Sequence, residues 1–152
     1  MKEFEDKFSA LQADMVSICL EYVEDRADEI YIYASCEETV ISSKFFYLIN
    51  DQYVKAHKLN DVLIYNDKEY DVSAKRQFMV LDILSEDIES IKNTCKEYER
   101  DMPTEMKIRY DVKSGELTAE YKYELVYFND ENKTASDIAD EWFKELSNSS
   151  RV

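Results

Sequence analysis

The stretch EMKIRYDVKSGELTAEYKYEL, Glu105 to Leu125, decides the fold class. Met106, Ile108, Tyr110 and Val112 alternate with Glu105, Lys107, Arg109 and Asp111, the period of two that marks a strand with one buried face. Ser114-Gly115, which holds the only glycine of the chain, reads as a two-residue turn. Leu117, Ala119, Tyr121, Tyr123 and Leu125 then return on the same face. That register sets Arg109 opposite Glu120 as a favourable cross-strand pair. The alternation also assigns Tyr110, Tyr121 and Tyr123 to the core side of an antiparallel hairpin.

On the N-terminal side of this hairpin stands a long helical pattern. Ser73 is a candidate N-cap, and Leu81, Leu84, Ile88, Ile91 and Cys95 follow at helical spacing, supported by Phe78 and Val80. The helix is expected to end before Pro103, since the residue preceding a proline avoids helical angles. Glu86, Asp87 and Glu89 are assigned to its polar side. On the C-terminal side the chain crosses FNDENK and starts a helix at Thr134, where Thr134 and Asp137 resemble a capping box. Ala135, Ile138, Ala139, Trp142 and Leu146 make the buried face of that helix, and Trp142 is expected in the core. SNSSRV, 147–152, is expected to be a flexible tail.

Further upstream, Phe4, Phe8, Leu11, Met15, Ile18 and Tyr22 form one helical face over about Lys2 to Arg26. The period then changes to two: Ile30, Ile32 and Ala34 alternate with Tyr31, Tyr33 and Ser35. Thr39 to Asn50 is a second strand, joined to the first through Cys36-Glu37-Glu38. A third strand is expected at Tyr53 to Leu59, a short apolar piece at Val62 to Tyr65, and a turn at Asn66-Asp67-Lys68. The order helix, antiparallel strands, helix, hairpin, helix contains no βαβ rhythm. It predicts an α+β protein: a two-layer α/β sandwich, an antiparallel sheet with helices packed on one face, in a single domain over 1–146.

Composition narrows the function classes. The chain of 152 residues carries a formal charge of −15 and 12 tyrosines, with Gly and Pro once each. A nucleic-acid binder needs excess Lys and Arg to displace counterions from phosphate, and an anionic membrane surface makes the same demand. The natural partner of such a charge is a strongly basic protein. Cys19, Cys36 and Cys95 are odd in number and never paired as CxxC, which reads as reduced, buried thiols in a cytoplasmic protein. MKEFEDKF is acidic helix chemistry rather than a signal peptide.

Positive signs of catalysis or metal binding are weak. His57, the only histidine, lies beside Lys55 and Lys58 and reads as a surface imidazole. Glu86, Asp87 and Glu89, and likewise Asp140, Glu141 and Glu145, would pair by chance among 34 acids. Asp130, Asn132, Thr134 and Glu141 fall in a calcium-loop register, but Ala135 stands where that loop needs glycine. No phosphate loop or zinc spacing occurs. The expectation is a protein without enzymatic activity, cofactor or metal. A carboxylate-dependent hydrolase or an acidic adaptor protein are the alternatives.

Several features occur together in a recognisable order. They are EIYIYAS at Glu29–Ser35, the helix opening at Ser73, Met102-Pro103-Thr104-Glu105 and Tyr110-Asp111. Tyr121-Lys122-Tyr123 and Asp140-Glu141-Trp142-Phe143 follow. In order and spacing they resemble the YezG-type immunity family, most strongly over Asp71 to Leu146. The resemblance implies a two-layer α/β sandwich. It also implies a small cytosolic bacterial antitoxin that blocks a secreted polymorphic toxin, often a nuclease, by direct contact. On that reading the toxin-binding residues are Asp130, Glu131, Asp137, Asp140, Glu141 and Glu145, with Tyr127 as an aromatic anchor.

Overall fold

The computed structural model describes residues 2–130 and 132–149. Helix α1 (Lys2–Tyr22) is followed by strands β1 (Glu29–Glu37), β2 (Val40–Ile49) and β3 (Gln52–Lys55). A 3-10 segment (Ala56–Val62), helix α2 (Ala74–Glu97), strands β4 (Glu105–Asp111) and β5 (Glu116–Lys122) and helix α3 (Ala135–Ser149) complete the order. The strands form one open antiparallel sheet in the order β3-β2-β1-β4-β5. This is the antiparallel α+β sandwich that the alternation predicts.

β1 lies at the centre and is buried along its whole length. A strand buried on both faces needs cover on both. Ile30, Ile32, Ala34 and Cys36 meet the core shared with α1 and α2. Tyr31 and Tyr33 point the other way and meet α3: Tyr31 packs edge-on against Trp142 at 5.6 Å, and Tyr33 clusters with Tyr127, Ala135 and Ala139. Phe46 of β2 adds ring contacts to Trp142 at 5.2 Å and Phe143 at 5.1 Å. The expectation that all helices share one face is therefore corrected: α3 forms its own layer on the opposite face.

Both helix caps read from sequence are present. The Ser73 hydroxyl accepts the Arg76 N–H at 3.3 Å. At α3 the cap is reciprocal: Thr134 Oγ1 accepts the Asp137 N–H at 3.3 Å and Asp137 Oδ2 accepts the Thr134 N–H at 2.9 Å. α3 takes in Ser147–Ser149, which the sequence reading gave to the tail, and residues 150–152 lie outside the described residues.

The β2–β3 turn falls at Asn50-Asp51, a turn signal in the sequence, while the loop between β4 and β5 differs from expectation. β1 and β2 are joined by Glu38-Thr39 alone, and β2 and β3 by Asn50-Asp51 alone, all four at positive φ. Two successive positive φ values make the type I′ geometry that matches strand twist, here without glycine. The Ser114-Gly115 hairpin is wider. Asp111 pairs with Glu116, so four residues form the loop, and Gly115 takes φ 76. The wider loop shifts the register: Glu120 faces Lys107, Arg109 faces Thr118, and the Arg109 guanidinium bonds Glu29 instead. β5 ends at Lys122, leaving Tyr123 58% exposed, which corrects its placement on the core side, whereas Tyr121 packs against Phe8 and accepts a hydrogen bond from Gln12. β3 ends at Lys55, where the 3-10 segment begins, and α1 ends at Tyr22 through a turn with Glu24 and Asp25 at positive φ.

Candidate functional site

The surface that the sequence reading singled out is built on the second face of the sheet, from the 126–130 crossing and α3. Glu37, the last residue of β1, is fully buried, and its carboxylate accepts three backbone N–H groups, from Val126 (2.9 Å), Tyr127 (3.2 Å) and Phe128 (2.9 Å). A carboxylate meeting three amide dipoles replaces the hydration it loses on burial. The crossing is thereby fastened to the end of the central strand.

Tyr127 is 9% exposed, and its hydroxyl lies 2.6 Å from Ser35 Oγ. Buried beside Tyr33, Ala135 and Ala139, it holds the crossing and is not presented to a partner, so its assignment as aromatic anchor is corrected. The aromatic ring the crossing does present is Phe128, 49% exposed. The sequence signal for the exchange was present but ambiguous: adjacent aromatics must point apart, and only the Ser35 and Glu37 contacts decide which turns inward.

The acids take separate roles. Asp137 caps α3. Asp140 pairs with Lys55 of β3 at 3.1 Å, and that ammonium also lies over the Phe143 ring. Glu141 pairs with Lys133 at 3.0 Å, a contact that raises the Lys133 pKa. Asp130 Oδ1 accepts the Asn132 N–H at 2.8 Å and shapes the turn. Glu145 is exposed and makes no ion pair among the described residues. Glu131 lies outside the described residues. Asp137, Asp140, Glu141 and Glu145 thus share the outer side of α3, whose inner side carries Ala135, Ala139 and Trp142.

Several buried polar groups were not foreseen. The tyrosine-and-acid pattern is largely internal: Tyr33 donates to Glu105 at 2.9 Å and Tyr31 to Glu29 at 3.0 Å, all four groups buried. Burial raises both phenol pKa values, so the hydroxyls keep their protons and remain donors. Asp87, expected on the polar side of α2, is 8% exposed and faces α1. Burial, then a hydrogen bond and like charge from Asp14, with Glu86 adding to them, push its carboxyl up to about 7.

A raised carboxyl pKa is a mark of catalytic sites only where substrate can reach it. Asp87 and Asp14 line none of the five cavities described, the larger of which measure about 330 and 360 Å³. His57 is exposed and borders a cavity of about 160 Å³ with Lys44, Lys55, Asp140 and Phe143. Cys19, Cys36 and Cys95 are free and buried, and burial raises all three thiol pKa values, the opposite of an activated nucleophile. Among the described residues no group of three or more His, Cys, Asp and Glu side chains is placed to hold a metal ion, and no helix is long and apolar enough to cross a membrane. No protein-family model matches the sequence, and no curated protein is significantly similar to it.

Proposed function

We propose that this chain is an immunity protein, which binds a basic toxin domain in one-to-one stoichiometry and blocks it by contact rather than by catalysis. The observation that carries the reading is the −15 charge, together with an outer side of α3 that displays Asp137, Asp140, Glu141 and Glu145 on a buttressed scaffold. A nuclease is the toxin class that this charge suits, because a surface made to grip phosphate is basic where the inhibitor must meet it. The resemblance of the chain to the YezG-type family supports the same reading. The contact set is Asp130, Asp137, Asp140, Glu141 and Glu145, with Phe128 as the exposed ring in the place first given to Tyr127.

The hydrolase alternative has less support, since the carboxyl held near neutrality lies in a helix seam. The proposal is tested by capturing partners from the source cell with tagged protein at low and high salt. The expected result is one basic protein, recovered at equal stoichiometry and inactive while bound. Its association rate should fall with salt and fall about tenfold or more in the triple variant Asp140→Lys, Glu141→Lys, Glu145→Lys. A captured partner whose binding ignores both salt and the triple charge reversal would sink the assignment of the surface.

A further inference from the structure

β5 is an edge strand of seven residues with no proline and no bulge, exposed along most of its length. The other edge, β3, has four residues and is covered in part by α3 through the Lys55–Asp140 pair. Long bare edges are templates for another strand. Which groups β5 offers follows from its ladder. The Thr104 carbonyl accepts from Cys36 of β1, so the odd residues of β4 face β5 and pair with Glu116, Thr118, Glu120 and Lys122. Leu117, Ala119 and Tyr121 therefore turn their N–H and C=O groups to the open side.

We infer that β5 pairs with β5 of a second copy of this chain, antiparallel and centred on Ala119, to make a continuous ten-stranded sheet. The register is self-complementary. Ala119 meets Ala119 and Leu117 meets Tyr121, each exchanging a pair of backbone hydrogen bonds. On the α3 side, Glu116 meets Lys122 twice and Thr118 meets Glu120 twice. Glu116 has cause to seek a cation, since its cross-strand neighbour within the chain is Asp111. Lys122 is half-exposed, with its ammonium 3.9 Å from Glu105. On the other face α1 reaches Tyr121 through Gln12 and Phe8, and its exposed residues include the small Ser9, Ala13 and Ser17. The side chains of the strand carry two acids and one base, a near balance that fits a second copy better than a strongly basic strand.

The test is sedimentation of the isolated chain over a concentration series, which makes it independent of the toxin proposal. A reversible dimer with dissociation constant of micromolar order is expected. Glu116→Lys replaces the attractive pair with Lys against Lys and should weaken it about tenfold, while relieving the Asp111 contact inside the monomer. Thr118→Glu should weaken it similarly, and Thr118→Lys should tighten it. Ala119→Pro removes an N–H that the monomer's own ladder does not use and should abolish dimerisation with the fold retained. Hydrogen exchange at Leu117, Ala119 and Tyr121 should slow as concentration rises. A monomer at every concentration overturns the inference. So does a dimer indifferent to Glu116→Lys and Thr118→Glu, or protection of these amides only when a basic partner is added.

Discussion

Glu37 shows how much one buried side chain can organise. Its carboxylate ties three consecutive amides of the crossing to the sheet. Glu37→Gln keeps the shape but loses the charge and puts an amide NH2 against N–H groups. The expected cost is about 3 kcal/mol in urea unfolding, with faster exchange of the Val126, Tyr127 and Phe128 amides. Unchanged exchange at those amides would show that the crossing is held by something else. Asp87 works in the opposite sense. Folded, it keeps its proton to about pH 7, while an unfolded aspartate releases it near 4. Its native environment is thus tolerated at acid pH and becomes a growing penalty as pH rises through that window. Asp87→Asn should be nearly neutral at pH 4. At pH 8 it should stabilise by roughly 2 kcal/mol, about half of what a shift of this size implies for a fully desolvated group. A constant difference between the two pH values in denaturant titrations would contradict this.

Among the elements, α3 depends most on its surroundings. It caps itself through Thr134 and Asp137, and it docks through Trp142 and Phe143 on Tyr31 and Phe46. Thr134→Ala should lower stability by about 1 kcal/mol and leave Trp142, the sole tryptophan, measurably more solvent-exposed in fluorescence. An unshifted emission together with unchanged stability would mean that the cap contributes nothing. The elements themselves were legible in sequence where one period ran unbroken, as in the 105–125 hairpin and the Leu84, Ile88, Ile91, Cys95 row. The register of that hairpin was not. A Ser-Gly pair satisfies a two-residue turn locally, but the observed loop of four aligns Glu120 with Lys107 and frees Arg109 for Glu29, a partner on another strand. Asp87 was likewise illegible, since a carboxylate in a helix row reads as outward until the neighbouring helix is placed.

For the whole molecule, charge is the dominant long-range property. With −15 on 152 residues the folded state repels itself, and screening should relieve it. Raising sodium chloride from low concentration to about 0.5 M is expected to raise the melting temperature of the isolated chain, read by calorimetry. A falling melting temperature would mean that attractive pairs such as Lys55–Asp140 outweigh the net repulsion. The same field sets the salt dependence expected of partner binding, so the two measurements share one physical cause.

Sequence alone determined the three helices, the strands outside the 51–69 stretch, the antiparallel α+β class and the acidity, because these depend on local periodicity and on sums over residues. Tertiary structure alone decided which side of β1 counts as outside. Tyr31 and Tyr33 alternate with Ile30 and Ile32 as a solvent face would, yet α3 returns to cover them, and Glu29 and Glu105 accept their hydroxyls. It also decided that Tyr127 turns inward and Phe128 outward, since the Ser35 and Glu37 groups that select between them lie about ninety residues away in the chain. Such choices are set by hydrogen-bond satisfaction between distant segments, which no local pattern records.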